Sequence, residues 1–249
     1  LAPVVAHLMN ISQETGIFPQ SGKLTRVIPV FKEKGPKYIY GNYRPISLLP
    51  IFSKILERLI YNKIFDFLVR YQILFDSQYG FRKGHNTTHA VLDFLKYITE
   101  GIDNNEDSLG VFCDLSKAFD TINHELLLGK LKHYGVDGKS LEWFASYLSN
   151  RLQYVEFNNH KSGLLPIQTG VPQGSVLGPL LFLIYMNDLP SSTKKLKLVL
   201  FADDSNIIIK GKNLTETTEI LNTELLSISD WFKANKLKLN ASKTSCMLF

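Results

Sequence analysis

The sequence predicts an α+β fold built on a split βαβ sheet with helices packed on one face. Two observations carry the prediction. The second half of the chain reads strand, helix, strand, strand, helix, strand. Acidic residues, Asp114 and the pair Asp203–Asp204, also stand directly after the apolar runs Leu109–Cys113 and Leu198–Ala202, which read as buried strands. The 249 residues allow one large domain or two small ones at about 100–200 residues each. Apolar residues make up 45% and charged residues 20% of the chain, which supplies a core and argues against disorder.

The elements follow in order. The first forty residues mix turn signals (Phe18–Pro19, Gly35–Pro36, Gly41–Asn42) with a strand-like run from Arg26 to Phe31. From Ile51 to Val69, apolar residues recur at helical spacing with Lys and Glu between them. A second helix is expected from Thr87 to about Thr99, with Thr87 or Thr88 as its cap. After the strand ending at Cys113, a helix through Ser116 carries Leu126, Leu127, Leu128 and Leu131, and Gly135 suits its C-terminal end. Ser140 is expected to cap a helix from Leu141 to Leu148. Strands are expected at Gln153–Phe157, with Val155 and Phe157 inward and Tyr154 and Glu156 outward, and at Gly163–Gln168. Gly170–Ser175 reads as a tight turn, Ser175 capping an apolar helix to about Asn187. Leu196–Lys210 reads as a hairpin with carboxylates at its tip, followed by a helix from Thr215 to Lys233 and a strand near Cys246.

Composition excludes several classes. The longest apolar stretch, Leu180–Met186, is far shorter than the roughly 20 residues needed to cross a bilayer, so no membrane partner is expected. Two cysteines, Cys113 and Cys246, make neither a disulfide framework nor a cysteine zinc site, which favours an intracellular chain of cytoplasm or nucleus. His85 and His89 could share a helix face, but no third ligand is evident. The formal charge of +5 is compatible with a polyanionic partner. The chain has no secretory leader pattern and closes on a strand-like run, and is expected to be a piece of a longer polyprotein.

The carboxylates carry the chemistry. Acids beside buried strands repel one another and are costly to bury unpaired, so a hard cation is the expected neutraliser. Mg²⁺ takes carboxylate oxygens together with substrate phosphates. In a two-metal site, one ion activates the attacking oxygen and the other stabilises the leaving group. Either acid alone could instead cap a turn or a helix.

Phe112–Asp120 (FCDLSKAFD), Gly170–Pro179 (GVPQGSVLGP) and Phe201–Asp204 (FADD) resemble, in order, the central palm motifs of reverse transcriptases. The likeness is to the non-LTR (LINE-type) retrotransposon enzymes. Asn42–Leu48 (NYRPISL) and Gln78–Gly84 (QYGFRKG) resemble their fingers motifs, and Leu237–Thr244 (LKLNASKT) the palm motif after the hairpin. The resemblance implies a right-hand polymerase with fingers at 1–108, including the first part of the palm, and palm at 109–249, the thumb being absent. It implies Asp114, Asp203 and Asp204 as catalytic ligands of two Mg²⁺ ions (Mn²⁺ a possible substitute), the Leu115 carbonyl adding a ligand. Phe119 would lie under the nucleotide sugar, obstructing a 2′-OH. Gln173 would flank nucleotide and template, Arg44 would hold the triphosphate with Lys32 assisting, and Lys243 would approach the triphosphate. The implied partners are an RNA template, a DNA primer, dNTPs and a covalently linked endonuclease domain. A non-catalytic nucleic-acid-binding remnant and a group II intron or telomerase-type enzyme stand as alternatives.

Overall fold

The computed structural model describes residues 2–249. In chain order they form α1 (Ala2–Thr15), β1 (Leu24–Phe31), β2 (Tyr43–Leu48), α2 (Ile51–Arg70), α3 (Thr87–Asp103), β3 (Asp107–Cys113), α4 (Ala118–Thr121), α5 (His124–His133) and α6 (Gly138–Leu148). There follow β4 (Arg151–Phe157), β5 (His160–Lys161), β6 (Leu165–Ile167), α7 (Gly178–Met186), β7 (Lys197–Phe201), β8 (Asp204–Gly211), α8 (Leu214–Ala234) and β9 (Ser245–Leu248). Among the described residues no helix is long and apolar enough to cross a membrane.

The chain divides into two compact units, Leu1–Leu68 with Ile122–Leu181, and Val69–Thr121 with Phe182–Phe249. The expected fingers and palm segments, 1–108 and 109–249, follow chain order, whereas these units interleave.

In the first unit, β1 pairs antiparallel with β2 and parallel with β4, and β4 carries β5 and β6. Its core gathers Phe18, Trp143, Tyr147 and the guanidinium-bearing Arg151, all almost wholly buried. Phe18 meets Trp143 and Tyr147 edge-on, an arrangement in which ring edges face ring faces. Arg151 lies over the Tyr147 ring at 4.9 Å, where the ring quadrupole offsets part of its desolvation.

In the second unit the strand order is β7-β8-β3-β9, and each adjacent pair is antiparallel. Strands β3 and β7 therefore run parallel with β8 inserted between them, which is the split βαβ arrangement expected. Its strands are apolar and largely buried, Leu109, Val111, Leu198, Val199, Leu200, Ile207 and Ile208 among them. Helices α3 and α8 pack against this sheet, and Phe94 of α3 meets Phe112 at 5.5 Å.

Several local expectations need correction. Asn86, not Thr87 or Thr88, caps α3, its side chain accepting from the His89 amide at 2.9 Å. The helix expected through Ser116 is two helices: Lys117 takes φ +52°, and Asn123 opens α5 by accepting from the Leu126 amide. Asn is among the strongest N-cap residues, so it restarts a helix that apolar spacing alone would run through. Helix α6 begins at Gly138 after Asp137, which places Ser140 inside its first turn. On β4 the faces are reversed: Val155 and Phe157 are exposed, and Tyr154 and Glu156 are half-buried. The polar pair finds neighbours, Arg26 at 3.6 Å from Glu156 and Lys161 over the Tyr154 ring. Cross-strand partners of this kind override simple alternation. Helix α1 and strand β2 were not foreseen.

Candidate active site

The carboxylates meet through strand pairing. Cys113 at the end of β3 lies opposite Ser205 near the start of β8. Asp114 directly follows Cys113 and Asp204 directly precedes Ser205, so the pairing brings both acids to the same end of β3 and β8. The β7–β8 hairpin closes by pairing Phe201 with Asp204, which leaves Ala202 and Asp203 as its tip. Ala202 adopts φ +54°, a left-handed conformation unusual for a residue with a Cβ. All three acids thus stand at one end of the sheet of the second unit.

A segment 126 residues further along fixes Asp114. The Asn240 amide donates to the Asp114 main-chain carbonyl at 2.8 Å, and the Asn240 side chain donates to Asp114 Oδ2 at 2.9 Å. Lys243 Nζ reaches the same oxygen at 3.1 Å with its side chain 65% exposed. An exposed pair of this kind contributes little stability, about 0–1 kcal/mol. Asn240 is therefore the fixed partner of Asp114 and Lys243 the displaceable one. The bridge between Leu115 and Leu239 makes its hydrogen bonds through Ser116 to Lys238 and Asn240 to Asp114, not through Leu115.

Charge crowding is visible in Asp204. Partial burial of its carboxyl, then the charges of Asp203 and Asp114, hold it above the ordinary carboxylate value, with Lys243 opposing. Among the described residues no three His, Cys, Asp or Glu side chains form a ready-made metal cluster. Mg²⁺ typically uses one or two carboxylates plus water and phosphate oxygens. An acid-only donor set, mutually repelling and answered by a single exposed lysine, fits such an ion.

Phe119, on α4, stacks on Phe182 at 4.8 Å and meets Phe81 edge-on at 6.0 Å. It is half-buried and belongs to the same unit as the carboxylates.

Arg44, Lys32 and Gln173 belong to the first unit. Arg44 is exposed on β2 opposite Val30, and Lys32 Nζ donates to the Gly41 carbonyl at 2.9 Å. The Ser47 amide of β2 donates to the Gln173 carbonyl at 2.7 Å. Gly174, at φ +118°, brings its backbone so close that a Cβ would stand 2.6 Å from the Ser47 carbonyl oxygen. Strand β2 and the Gly170–Gly178 loop thus hold Arg44 and Gln173 on one framework.

Glu57, which the sequence reading passed over, anchors that loop. Fully buried, it accepts from the Val176 and Leu177 amides at 2.7 and 3.2 Å and from Ser53 Oγ at 3.2 Å. Ser175 Oγ accepts from the Gly178 amide at 2.9 Å, the capping role expected of it. The available signal for Glu57 was a lone acid on the apolar stripe of α2.

The sheet order and its carboxylate end define a polymerase palm. Solved structures share the fold: telomerase from Candida albicans in complex with a telomeric RNA fragment matches with TM-score 0.64 over 92% of this chain and 43% of that one, at 13% identity. Apo telomerase from Candida tropicalis matches with TM-score 0.62 over 94% of this chain and 51% of that one, at 14% identity. Among curated relatives in Drosophila melanogaster, a probable RNA-directed DNA polymerase from transposon BS is 34% identical over 96% of this chain and 27% of its own length. The RNA-directed DNA polymerase from mobile element jockey is 31% identical over 98% of this chain, again 27% of its own length. The chain thus spans about a quarter of the length of these relatives. The model of the reverse transcriptase (RNA-dependent DNA polymerase) family matches residues 31–248, and the chain belongs to that family.

Proposed function

We propose that this chain is the catalytic part of an RNA-directed DNA polymerase of a non-LTR retrotransposon, extending a primer 3′-OH with dNTPs on an RNA template. The observation that carries the proposal is the β3–β8 pairing, which sets Asp114 beside the Asp203–Asp204 hairpin. Their carboxylates would hold two Mg²⁺ ions, with Mn²⁺ able to substitute and the Leu115 carbonyl as an added ligand. Bound there, such ions supply activation of the attacking oxygen and neutralisation of the leaving pyrophosphate.

The chain's own groups do the rest. Asn240 holds the Asp114 carboxylate in one orientation through its side-chain amide. Lys243, salt-bridged to Asp114 at 3.1 Å, is a mobile cation on a flexible stem that can turn to a triphosphate. Arg44 offers a guanidinium fork suited to phosphate oxygens, with Lys32 beside the same hairpin, and Gln173 stands on a glycine-flanked loop that allows close backbone approach. Phe119 is the proposed obstacle to a 2′-OH. A linked endonuclease domain is proposed for the longer protein. Asp203→Ala is expected to abolish template-directed dNTP incorporation in Mg²⁺ while leaving the thermal unfolding midpoint in place. Incorporation at the wild-type rate would overturn the assignment.

A further inference from the structure

The QYGFRKG segment, expected in the fingers, lies in the second unit and grips the outer edge of the carboxylate hairpin. Ser77 accepts from the Leu200 amide at 2.8 Å, and the Tyr79 amide donates to the Leu200 carbonyl at 2.8 Å. These bonds add a short parallel pairing to the free edge of β7, three residues before Asp203. Gly80 then closes on the tip itself: a Cβ there would stand 2.1 Å from the Ala202 nitrogen, so only glycine fits.

Gln78 sits at the centre of this contact, 3% exposed. Its side-chain Oε1 accepts from the Gly80 amide at 2.9 Å and from the Ala202 amide at 3.3 Å. Its Nε2 is buried with no partner, which costs stability. A buried carboxamide that leaves its donor unused is not explained by packing alone, since an apolar side chain of similar size would avoid that cost. What it supplies is an acceptor for the amide of Ala202, the left-handed residue immediately before Asp203.

The segment is itself tied down from behind. Arg82 Nη1 donates to the Phe75 carbonyl at 2.7 Å and to the Gln78 carbonyl at 3.3 Å. Asn187 takes the Phe75 amide and donates to the Ile73 carbonyl, each at 2.8 Å. The acceptor is therefore presented by a loop closed on itself, not by a free strand.

We propose that Gln78 is a positioning residue for the carboxylate hairpin, holding the Ala202 peptide in its left-handed turn so that Asp203 keeps a fixed place at the sheet end. The proposal rests on the polymerase reading for its catalytic consequence, and on hydrogen bonding alone for its structural one. Misplacing a reacting group by about an ångström can cost up to roughly 100-fold in rate. Gln78 is buried and its side chain meets the backbone amides of Gly80 and Ala202, so the expected loss is in kcat, with KM for dNTP little changed.

The test compares Gln78→Met, which keeps the volume and removes the acceptor, with Gln78→Glu, which keeps an acceptor oxygen where Nε2 makes no bond to lose. In the metal-free chain, hydrogen–deuterium exchange at the Ala202 amide is expected to be slow in the wild type and in Gln78→Glu, and fast in Gln78→Met. In steady-state incorporation below the unfolding midpoint of each variant, Gln78→Met is expected to lose roughly 10- to 100-fold in kcat. Equal protection of Ala202 in wild type and Gln78→Met overturns the tether. Fast exchange in Gln78→Met with unchanged kcat overturns its role in positioning. Should Gln78→Met not fold, rapid exchange of Ala202 in the wild-type chain overturns the proposal and slow exchange supports it. Absence of incorporation by the wild type would strike the polymerase reading instead, and the exchange data would then separate the two failures.

Discussion

Phe119 stacks on Phe182 at 4.8 Å and meets Phe81 edge-on at 6.0 Å, so its ring is held from behind while the side chain stays half-buried. A ring packed in this way has little freedom to move aside, which the proposed role as an obstacle to a 2′-OH requires. Phe119→Ala also removes a stacked pair worth about 0.5–1.5 kcal/mol. Any resulting loss of folded protein lowers dNTP and rNTP incorporation alike, and the ratio of the two kcat/KM values isolates selectivity. That ratio is expected to fall by roughly ten-fold or more in single-nucleotide incorporation, and an unchanged ratio would exclude Phe119 as the obstacle. The placing of Asp114, Asp203 and Asp204 at strand ends was legible because each stands just after an apolar run, whereas Phe119 was singled out by the resemblance. Asn240 and Gln78 were not legible. Their partners lie 126 and 124 residues away, and which distant groups meet is settled by the tertiary pairing of strands, which local spacing does not encode.

At the scale of the element, the hairpin and the helices with unbroken apolar stripes were readable, because burial imposes a period on the sequence. Two misread helix starts share a cause, an asparagine that supplies the cap. Asn123 restarts a helix within an apolar stretch, and Asn86 caps α3 ahead of the two threonines. Strand β2 was missed because its alternation is masked by Arg44 and Pro45 on an edge strand, where proline is tolerated. Asn213 repeats the capping theme at α8, accepting from the Thr215 and Glu216 amides at 3.1 and 3.4 Å. Asn213 is exposed, so its replacement changes the cap and little else. Asn213→Ala is expected to cost about 1 kcal/mol, which for a chain of this size lowers the unfolding midpoint by roughly 2–4 °C. A midpoint unchanged within a degree in a thermal melt would mean that the cap contributes nothing to α8.

For the whole molecule, the chain crosses between its compact units three times, so each unit is assembled from segments distant in sequence and needs anchors between them. In the first unit one such anchor is a buried, hydrogen-bonded carboxyl. Glu57 of α2 is fully buried and receives the Val176 and Leu177 amides of the loop before α7. Facing it are the Arg151 guanidinium of β4 and the Tyr147 phenol of α6, both buried. Burial raises the Glu57 carboxyl above its ordinary value, while the two loop amides, Arg151 and Ser53 pull the other way without cancelling it. The sign of its linkage follows: an acid whose folded value exceeds its unfolded one binds its proton more tightly when folded. Its contribution to stability is thus fully present below the ordinary carboxylate value near 4.5 and is lost as pH rises through the raised folded value. Glu57→Gln keeps one carbonyl oxygen for the two loop amides but cannot titrate. The stability difference between wild type and Glu57→Gln, from urea unfolding at a series of pH values, is therefore expected to shrink as pH rises from 4.5 and then to level off. Subtracting the variant removes the other titrating groups common to both chains. Glu57→Ala, which strands the Val176 and Leu177 amides, is expected to lose about 1–3 kcal/mol for each of them at neutral pH. A difference that is flat across the series would show that Glu57 titrates alike in the folded and unfolded chains, and that hydrogen bonding alone accounts for its hold on the loop.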